Sequence, residues 1–405
     1  MNSLALLSFH TCPAAQLGTK NAGGMNVYVR QLAQEFGTRG YQVDVFTRSH
    51  NTKEPKIIIL GPNTRLIHID GGPFSTSKDD LYLHTDSFIS NLYEYVALEN
   101  ISYDIIHSHY WLSGYIGLIL NGIWQIPHIT TFHTLGKIKL SARAGENESA
   151  ERISTEKKVV DEVQGIIVAT DQEKKDLIKL YDIRGEKIRV IPPGVNLSTF
   201  QPICQEKARR RLGLNDEKII LYVGRVEPLK GLRLLIRTLT YMDNTLNLKL
   251  LIVGGDLNRN QEIINLELLA TKLNVDNIVE FIGPVEHQKL PVYYSAADAF
   301  ALPSYYESFG LVALEAMACQ TPVVASRVGG LKTIVKSGET GYLISRRCPE
   351  AFAHRLEMLL SNFYLRHSMG IAARSAAQDM SWKRLAKETL SYYTSFIKNG
   401  NSEHS

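Results

Sequence analysis

Two cations in the second half of the chain have the types and spacing of a phosphate-binding pair. Arg225 and Lys230 are five residues apart and follow a short apolar run, 219–223, which predicts a buried strand. Two positive charges near the end of a strand could hold both phosphates of a leaving nucleoside diphosphate. Single loop cations usually have no such role, so this interpretation needs further residues to support it.

Two carboxylates follow further along the chain. Glu307 and Glu315 are eight residues apart, and Glu315 is surrounded by apolar residues that predict a buried helix. Burying a carboxylate without a partner costs roughly several kcal/mol, so Glu315 needs a hydrogen-bonding partner. We expect ligand hydroxyls to fill that role.

A glycine-containing loop follows the first apolar run, residues 4–8. The loop spans residues 11–22 and leads through Gly23 and Gly24 into a helix predicted over residues 25–39. Backbone N–H groups at a helix start favour an anion, so a diphosphate would suit this place. The spacing matches neither the dinucleotide-binding nor the P-loop fingerprint, and an ordinary strand-to-helix turn explains the loop equally well.

Composition excludes several classes of partner. The 405 residues carry a formal net charge of +4, with acids and bases interleaved, which argues against a nucleic-acid ligand. The four cysteines are far apart and lack zinc-ligand spacing, so we expect no metal site, reduced thiols and a cytoplasmic location. No apolar run approaches the roughly 20 residues that span a bilayer, so membrane contact would be peripheral.

The elements that position these residues alternate between short apolar runs and longer amphipathic stretches, the pattern of parallel strands with crossover helices. This predicts an α/β protein. A segment rich in proline, 191–202, interrupts the pattern and is the best linker candidate. We therefore expect two domains, 1–193 and 194–382, followed by a final helix, about 383–405, that could pack back on the first. The predicted strands are 4–8, 42–47, 66–69, 105–108, 128–132, 165–169, 188–191, 219–223, 249–253, 278–281, 299–302, 322–325 and 341–343.

The ordered set of motifs resembles the retaining glycosyltransferases of family 4, which have the two-domain GT-B fold. The set runs from the Gly-Gly loop through Pro-Gly-Val, Gly-Arg-x5-Lys-Gly and Glu-x7-Glu to Thr-Pro-Val-Val-Ala. The resemblance implies two Rossmann-like domains with parallel sheets facing across a cleft, and a UDP-sugar donor with no required cofactor. By the same resemblance, Gly24, Arg225 and Lys230 would bind the diphosphate of the donor. Glu307 would bind its sugar, and Glu315 its ribose.

The resemblance also assigns catalytic and acceptor residues. His133 resembles the active-site histidine beneath the donor sugar, and the leaving diphosphate would take the acceptor proton, so no separate base is needed. The resemblance further implies that the catalytic residues are His133, Arg225, Lys230 and Glu307. Acceptor phosphate contacts would come from Lys78, Tyr110, Thr134 and Arg152, and ring contacts from His10 and Asn26.

The acceptor itself stays open at this point. Local strings such as Ala22-Gly23-Gly24-Met25-Asn26 resemble a branch that acts on inositol 3-phosphate, which makes that acceptor our best guess, with N-acetylglucosamine or glucose as the transferred sugar. Sucrose-phosphate synthases share much of the pattern. A lipid acceptor such as phosphatidylinositol, supported by the short basic stretch 136–143, and a non-catalytic nucleotide-sugar binding protein are the remaining alternatives.

Two positions depart from the family pattern. Asn21 stands where similar sequences carry Asp, and Gln320 replaces the usual Gly before Thr321. The first could alter recognition of acceptor hydroxyls, and the second could perturb the turn after the helix of Glu315. Similar enzymes have Mg²⁺ near the segment of Tyr294, Ser295, Ala297 and Thr321, but no carboxylate cage in the sequence supports a metal. A homodimer is compatible with the sequence.

Overall fold

The chain folds into two α/β units, described by a computed structural model over residues 1–15, 23–142, 147–256, 261–345 and 347–400. The first unit comprises residues 1–15 and 25–192 and the last helix from residue 382. The second comprises residues 193–381 together with Gly23 and Gly24. Residues 16–22 of the predicted glycine loop, which include Asn21, and the last residue of the basic stretch 136–143 lie outside the described residues.

The first unit is built on an eight-stranded sheet with the order β3-β4-β2-β1-β5-β6-β7-β8. Its strands are β1 (Ser3–Leu7), β2 (Gln42–Arg48), β3 (Ile57–Gly61), β4 (Thr64–Ile69), β5 (Ile105–His109), β6 (His128–Thr131), β7 (Gly165–Val168) and β8 (Ile188–Val190). Its helices are α1 (Gly24–Gly37), α2 (Thr85–Leu98), α3 (Trp111–Trp124), α4 (Gly136–Ala142), α5 (Ala150–Glu162) and α6 (Asp171–Tyr181). Most residues of the central strands are buried, as expected where helices cover both faces.

One strand of this sheet was not predicted. β3 pairs antiparallel with β4, with Ile57 opposite Ile67, whereas the other pairings of the sheet are parallel. The sequence Ile57-Ile58-Ile59-Leu60 has no polar alternation, and Ile59 is 69% exposed at the sheet edge. The predicted parallel sheet therefore carries one additional antiparallel strand at this edge, because a short hairpin needs no crossover helix.

The second unit contains a six-stranded parallel sheet with the order β11-β10-β9-β12-β13-β14. Its strands are β9 (Lys218–Val223), β10 (Leu248–Val253), β11 (Val279–Gly283), β12 (Ala299–Leu302), β13 (Val323–Ser326) and β14 (Gly341–Ile344). Its helices are α7 (Gln205–Leu212), α8 (Leu232–Leu239), α9 (Gln261–Lys272), α10 (Leu290–Ala296), α11 (Leu311–Ala318), α12 (Leu331–Ile334), α13 (Pro349–Ser361) and α14 (Phe363–Gln378). The final helix, α15 (Trp382–Gly400), groups with the first unit.

Both sheets reverse their strand order at one point. In the first unit β2 and β5 flank β1, and in the second β10 and β12 flank β9. Loops leaving the carboxyl ends of the two central strands diverge at such a point and leave a crevice, which is where α/β sheets bind ligands. Within the described residues, no helix is both long and apolar enough to cross a membrane.

Candidate active site

In the second unit the predicted site residues follow adjacent strands. Arg225 and Lys230 come after β9, and Glu307 comes after its neighbour β12. Lys230 Nζ donates a hydrogen bond to Glu307 Oε1 over 2.6 Å, and Ser304 Oγ donates to the same oxygen over 2.9 Å. The structure thus brings a predicted phosphate ligand and a predicted sugar ligand into direct contact.

The backbone of Glu307 is held by a glycine pair after β13. Gly330 N–H donates to the Glu307 carbonyl over 3.0 Å. Gly329 has a φ of +43°, and a Cβ built there would lie 1.7 Å from that carbonyl oxygen. Only glycine fits such a close approach, so this pair fixes the loop that carries Glu307.

Arg225 lies half-exposed beside Glu227, whose Oε1 is 3.0 Å from Arg225 Nη2. The Arg225 carbonyl accepts a hydrogen bond from the buried Tyr222 hydroxyl over 2.8 Å, which fixes the backbone at the end of β9. A Cβ built on Gly23 would lie 3.7 Å from Arg225 Nε, and one built on Gly24 would lie 3.5 Å from Leu311 Cδ1. Within the second unit, Gly23 therefore lies beside the predicted donor residue Arg225.

Glu315 is buried on α11 and has two protein partners. His287 Nε2 is 2.6 Å from Glu315 Oε1, and the Tyr294 hydroxyl donates to Oε2 over 3.0 Å. Burial, followed by the charge of Glu315, raises the pKa of Tyr294 well above its usual value, so this phenol stays a donor. The sequence argument that the carboxylate needs a partner was sound, but these two side chains already meet that need.

In the first unit, Tyr110 has an unusual backbone conformation. It follows β5 with a φ of +79° and a ψ of +158°, a region used almost only by glycine. Tyr110 is buried, and the His10 ring, which follows the adjacent strand β1, lies 4.1 Å from it between centroids. His133, after β6, also has a left-handed φ of +61°. Strain at two neighbouring strand ends is typical of functional sites.

Two cations converge on the Tyr110 ring. Lys78 Nζ is 5.1 Å and the Arg152 guanidinium carbon 5.0 Å from its centroid. Arg152 Nη2 also donates to the Thr134 carbonyl over 3.0 Å and lies 3.3 Å from Thr134 Oγ1. The four residues predicted to bind the acceptor phosphate therefore form one cluster.

Acidic partners hold the Arg152 side chain. Its Nε donates to Glu156 Oε1 over 2.8 Å and its Nη1 to Glu148 Oε2 over 2.7 Å. Tyr181 and the Gly136 N–H donate to Glu156 in turn. Burial opposes the charge on Arg152, but Tyr110, Glu156 and Glu148 together raise its pKa, so the guanidinium stays charged in this buried place.

The histidines beside this cluster are neutral. Burial lowers the pKa of His133 to about 3, and His109 Nδ1 lies 3.0 Å from His133 Nε2. Burial, then Lys78, His133 and Arg152, lower the pKa of His10 well below its usual value. Asn26 differs from these residues, because its Nδ2 donates to Thr11 Oγ1 over 2.8 Å and to the Cys12 carbonyl over 2.7 Å. Its amide therefore anchors the start of the glycine loop.

Comparisons with known proteins agree with this architecture. Residues 22–199 match the family described as Glycosyltransferase Family 4, and residues 205–376 match Glycosyl transferases group 1. The D-inositol 3-phosphate glycosyltransferase of Corynebacterium glutamicum (strain R) is 38% identical over 408 residues, covering 98% of each chain. That of Corynebacterium jeikeium (strain K411) is 40% identical over 401 residues, covering 96% of each.

The chain belongs to glycosyltransferase family 4. Among solved structures, a sucrose-phosphate synthase from Thermosynechococcus elongatus superposes with a TM-score of 0.92 at 35% identity, covering 98% of this chain and 100% of that one. The two units are thus the Rossmann-like units of a GT-B glycosyltransferase, as the sequence resemblance implied.

In this family 4 enzyme, sequence reasoning missed the residues that support the site. His287, Ser304, Glu148 and Glu156 contact predicted ligands but belong to none of the motifs. Ser304 could have been noticed, since it lies three residues before Glu307 on the same strand end. The described residues hold no group of three or more His, Cys, Asp or Glu side chains that could hold a metal.

Proposed function

We propose that this glycosyltransferase moves a hexosyl unit from a UDP-sugar to inositol 3-phosphate, with retention of anomeric configuration. The observation that carries the acceptor is the 38% identity, over 98% of the chain, to a transferase named for that substrate. The donor sugar is N-acetylglucosamine or glucose.

The donor half of the reaction is assigned to the second unit. Arg225 and Lys230 would bind the diphosphate and stabilise the charge that develops as the bond from the anomeric carbon to phosphate oxygen breaks. Glu307 would accept hydrogen bonds from sugar hydroxyls. The 2.6 Å contact between Lys230 and Glu307 supports this assignment, because a sugar and the phosphate that carries it need ligands that lie side by side.

The acceptor half is assigned to the first unit. Lys78, Tyr110, Thr134 and Arg152 supply two cations and two hydroxyls, which match the needs of a phosphate dianion. The convergence of Lys78 and Arg152 on one strained tyrosine supports this assignment. His10, against the Tyr110 ring, would face the acceptor ring, and Asn26 would act mainly by holding the glycine loop.

The attacking acceptor hydroxyl must lose its proton as its oxygen bonds to the anomeric carbon. His133 is a poor base for that step at neutral pH, because its pKa is lowered to about 3. We propose that an oxygen of the leaving diphosphate takes the proton, and that His133 lies as a neutral ring beneath the donor sugar.

The test is a matrix of UDP-N-acetylglucosamine and UDP-glucose against inositol 3-phosphate and fructose 6-phosphate, with UDP release and glycosylated product both measured. We expect one donor to react with inositol 3-phosphate. Free inositol, added as a third acceptor that lacks the phosphate, should give little turnover. Tight UDP binding without turnover in any cell of the matrix would instead favour a non-catalytic binding protein.

Synthesis of sucrose phosphate is the second candidate. It is favoured by the 0.92 TM-score and 35% identity to a sucrose-phosphate synthase over essentially the whole chain. Fructose 6-phosphate would present its phosphate to the same cluster of Lys78, Tyr110, Thr134 and Arg152. If UDP-glucose and fructose 6-phosphate are the preferred pair in the matrix, fructose 6-phosphate replaces inositol 3-phosphate as the assigned acceptor.

A further inference from the structure

Glu315 is the single charged residue of α11, whose sequence is Leu-Val-Ala-Leu-Glu-Ala-Met-Ala. Its side chain is 6% exposed, and its two oxygens are used differently by the protein. Oε1 faces His287 Nε2 at 2.6 Å, and Oε2 accepts the Tyr294 hydroxyl at 3.0 Å. One donor on each oxygen fixes the plane of the carboxylate.

The proton on this contact can be assigned. An ionised carboxylate only accepts hydrogen bonds, so a bond of this length requires that His287 Nε2 carries the hydrogen. A carboxylate has about four acceptor positions, and His287 and Tyr294 fill one on each oxygen. The remaining position on each oxygen can accept from one of two adjacent hydroxyls, as a ribose presents them.

His287 is itself held in place. Its ring packs edge to face on Phe200, with centroids 4.9 Å apart, and Phe200 is 1% exposed. The Phe200 carbonyl accepts from Arg374 Nη1, which also donates to the Ala318 carbonyl at the end of α11, each over 2.6 Å. Arg374 therefore joins the backbone of Phe200 to the end of α11, and rotation of the His287 ring would break its contacts with the Phe200 ring and with Glu315.

We propose that His287 is a positioning residue for donor recognition: its Nε2–H holds Glu315 in the orientation that accepts both ribose hydroxyls of the nucleotide. This rests on the proposed function, and on the role of ribose ligand that the family resemblance implies for Glu315. A histidine with only a packing role would affect binding of all nucleotides alike. A positioning role affects only those that carry both hydroxyls.

The test compares the binding of UDP and 2′-deoxy-UDP by calorimetry on the full chain. We expect the wild-type protein to bind UDP about tenfold more tightly, the value of one hydrogen bond to a charged group. His287→Leu removes the donor but keeps an apolar contact for Phe200, and it should reduce this ratio to about twofold or less. His287→Gln, whose amide nitrogen can replace Nε2, should restore the ratio.

Turnover gives a second measure of the same role. His287→Leu should raise the KM for the UDP-sugar about tenfold and change kcat at saturating donor by less than about twofold, because the reacting atoms lie elsewhere. The matched control is His354→Leu on α13, an exposed histidine of the same unit, which should change neither KM nor the nucleotide ratio.

The outcomes separate this inference from its basis. Equal binding of both nucleotides by the wild-type protein would overturn the ribose role of Glu315 and this inference with it. A normal wild-type ratio that persists in His287→Leu, or equal weakening of both nucleotides, would overturn the positioning role alone. If the leucine variant does not fold, His287→Asn carries the same test, because its amide is too short to reach Glu315.

Discussion

At the scale of single residues, the candidate site depends on charges that the protein itself already pairs. Lys230 forms an ion pair with Glu307, and Arg225 forms one with Glu227. Arg152 forms ion pairs with both Glu148 and Glu156. A buried cation without an acid beside it would lose solvation without compensation. A ligand that binds at these places, as we propose, would therefore exchange one set of partners for another.

Removing either member of the Lys230 and Glu307 pair should abolish most activity. We expect Lys230→Ala and Glu307→Ala each to lower kcat/KM about 100-fold or more, the usual effect of deleting one group that stabilises transition-state charge. Initial rates of UDP release measure this, and circular dichroism shows that the variants are folded. Lys332→Ala, at an exposed lysine of the same unit, is the control. Wild-type rates in either site variant would remove that residue from the mechanism.

The Tyr110 hydroxyl should contribute to acceptor binding alone. Tyr110→Phe keeps the ring on which Lys78 and Arg152 converge but removes one proposed donor to the phosphate, so the acceptor KM should rise about tenfold. The donor KM should stay within about twofold of wild type. Tyr115→Phe, on the following helix, should leave both constants unchanged. An unchanged acceptor KM in Tyr110→Phe would mean that the hydroxyl does not contact the acceptor.

The sequence predicted candidate ligands but missed the side chains that contact those ligands, and the reason is physical. Spacing along the chain marked Arg225, Lys230, Glu307 and Glu315, since each follows a strand or lies on a helix next to one. His287 lies 28 residues before Glu315, and only the fold of β11 and α10 brings the two together. No local pattern encodes such a contact.

At the scale of elements, buried parallel strands were predictable and the edge hairpin was not. A strand covered on both faces is a continuous apolar run, which the sequence shows directly in β1 and β9. β3 is also apolar, but it lies at an edge, and its direction is set by a two-residue connection to β4. Apolar composition alone does not reveal strand direction.

The turn after α11 shows an element that tolerates an unfavourable residue. Gln320 N–H bonds the Met317 carbonyl and Thr321 N–H bonds the Ala316 carbonyl, the two bonds of a Schellman motif. The position between them is left-handed, with a φ of +63° at Gln320. The sequence suggested that Gln320 could perturb this turn; the hydrogen bonds are intact, and the cost is one of backbone conformation.

Gln320→Gly should therefore stabilise the second unit. Glycine adopts the left-handed conformation without the penalty of a Cβ, and we expect a gain of about 1 kcal/mol, or roughly 2–4 °C in melting temperature. Thermal unfolding measures the change. Gln320→Ala keeps the Cβ and should give no gain. A glycine variant that melts at or below the wild-type temperature would contradict the strain argument.

At the scale of the whole molecule, the two units differ in their buried histidines. Every described histidine with a lowered pKa belongs to the first unit, and these are His10, His50, His107, His109, His128 and His133. Burial is the leading cause in each case. The first unit therefore holds several imidazoles whose protonation is less favourable in the folded state than in the unfolded state.

Acid should for this reason destabilise the first unit before the second. An unfolded histidine takes up a proton near pH 6.5, whereas His128 and His133 do so only near pH 3 in the folded state. Between those values the unfolded state binds more protons than the folded state. The contribution of these histidines to the free energy of unfolding is therefore fully present above about pH 6.5 and decreases as the pH falls. Lowering the pH from 7.5 to 5.5 should cost about 1 kcal/mol for each such histidine.

Hydrogen exchange followed by mass spectrometry at pH 7.5 and 5.5, corrected for the intrinsic rate, locates this loss. We expect protection to decrease in the strands of the first unit and to change less in β9 to β14. His128→Gln should make the pH dependence shallower by about one proton, because glutamine does not titrate. His354→Gln, at an exposed histidine in the second unit, should leave it unchanged. Equal loss of protection in both units would show that carboxylates, and not these buried imidazoles, govern the acid response.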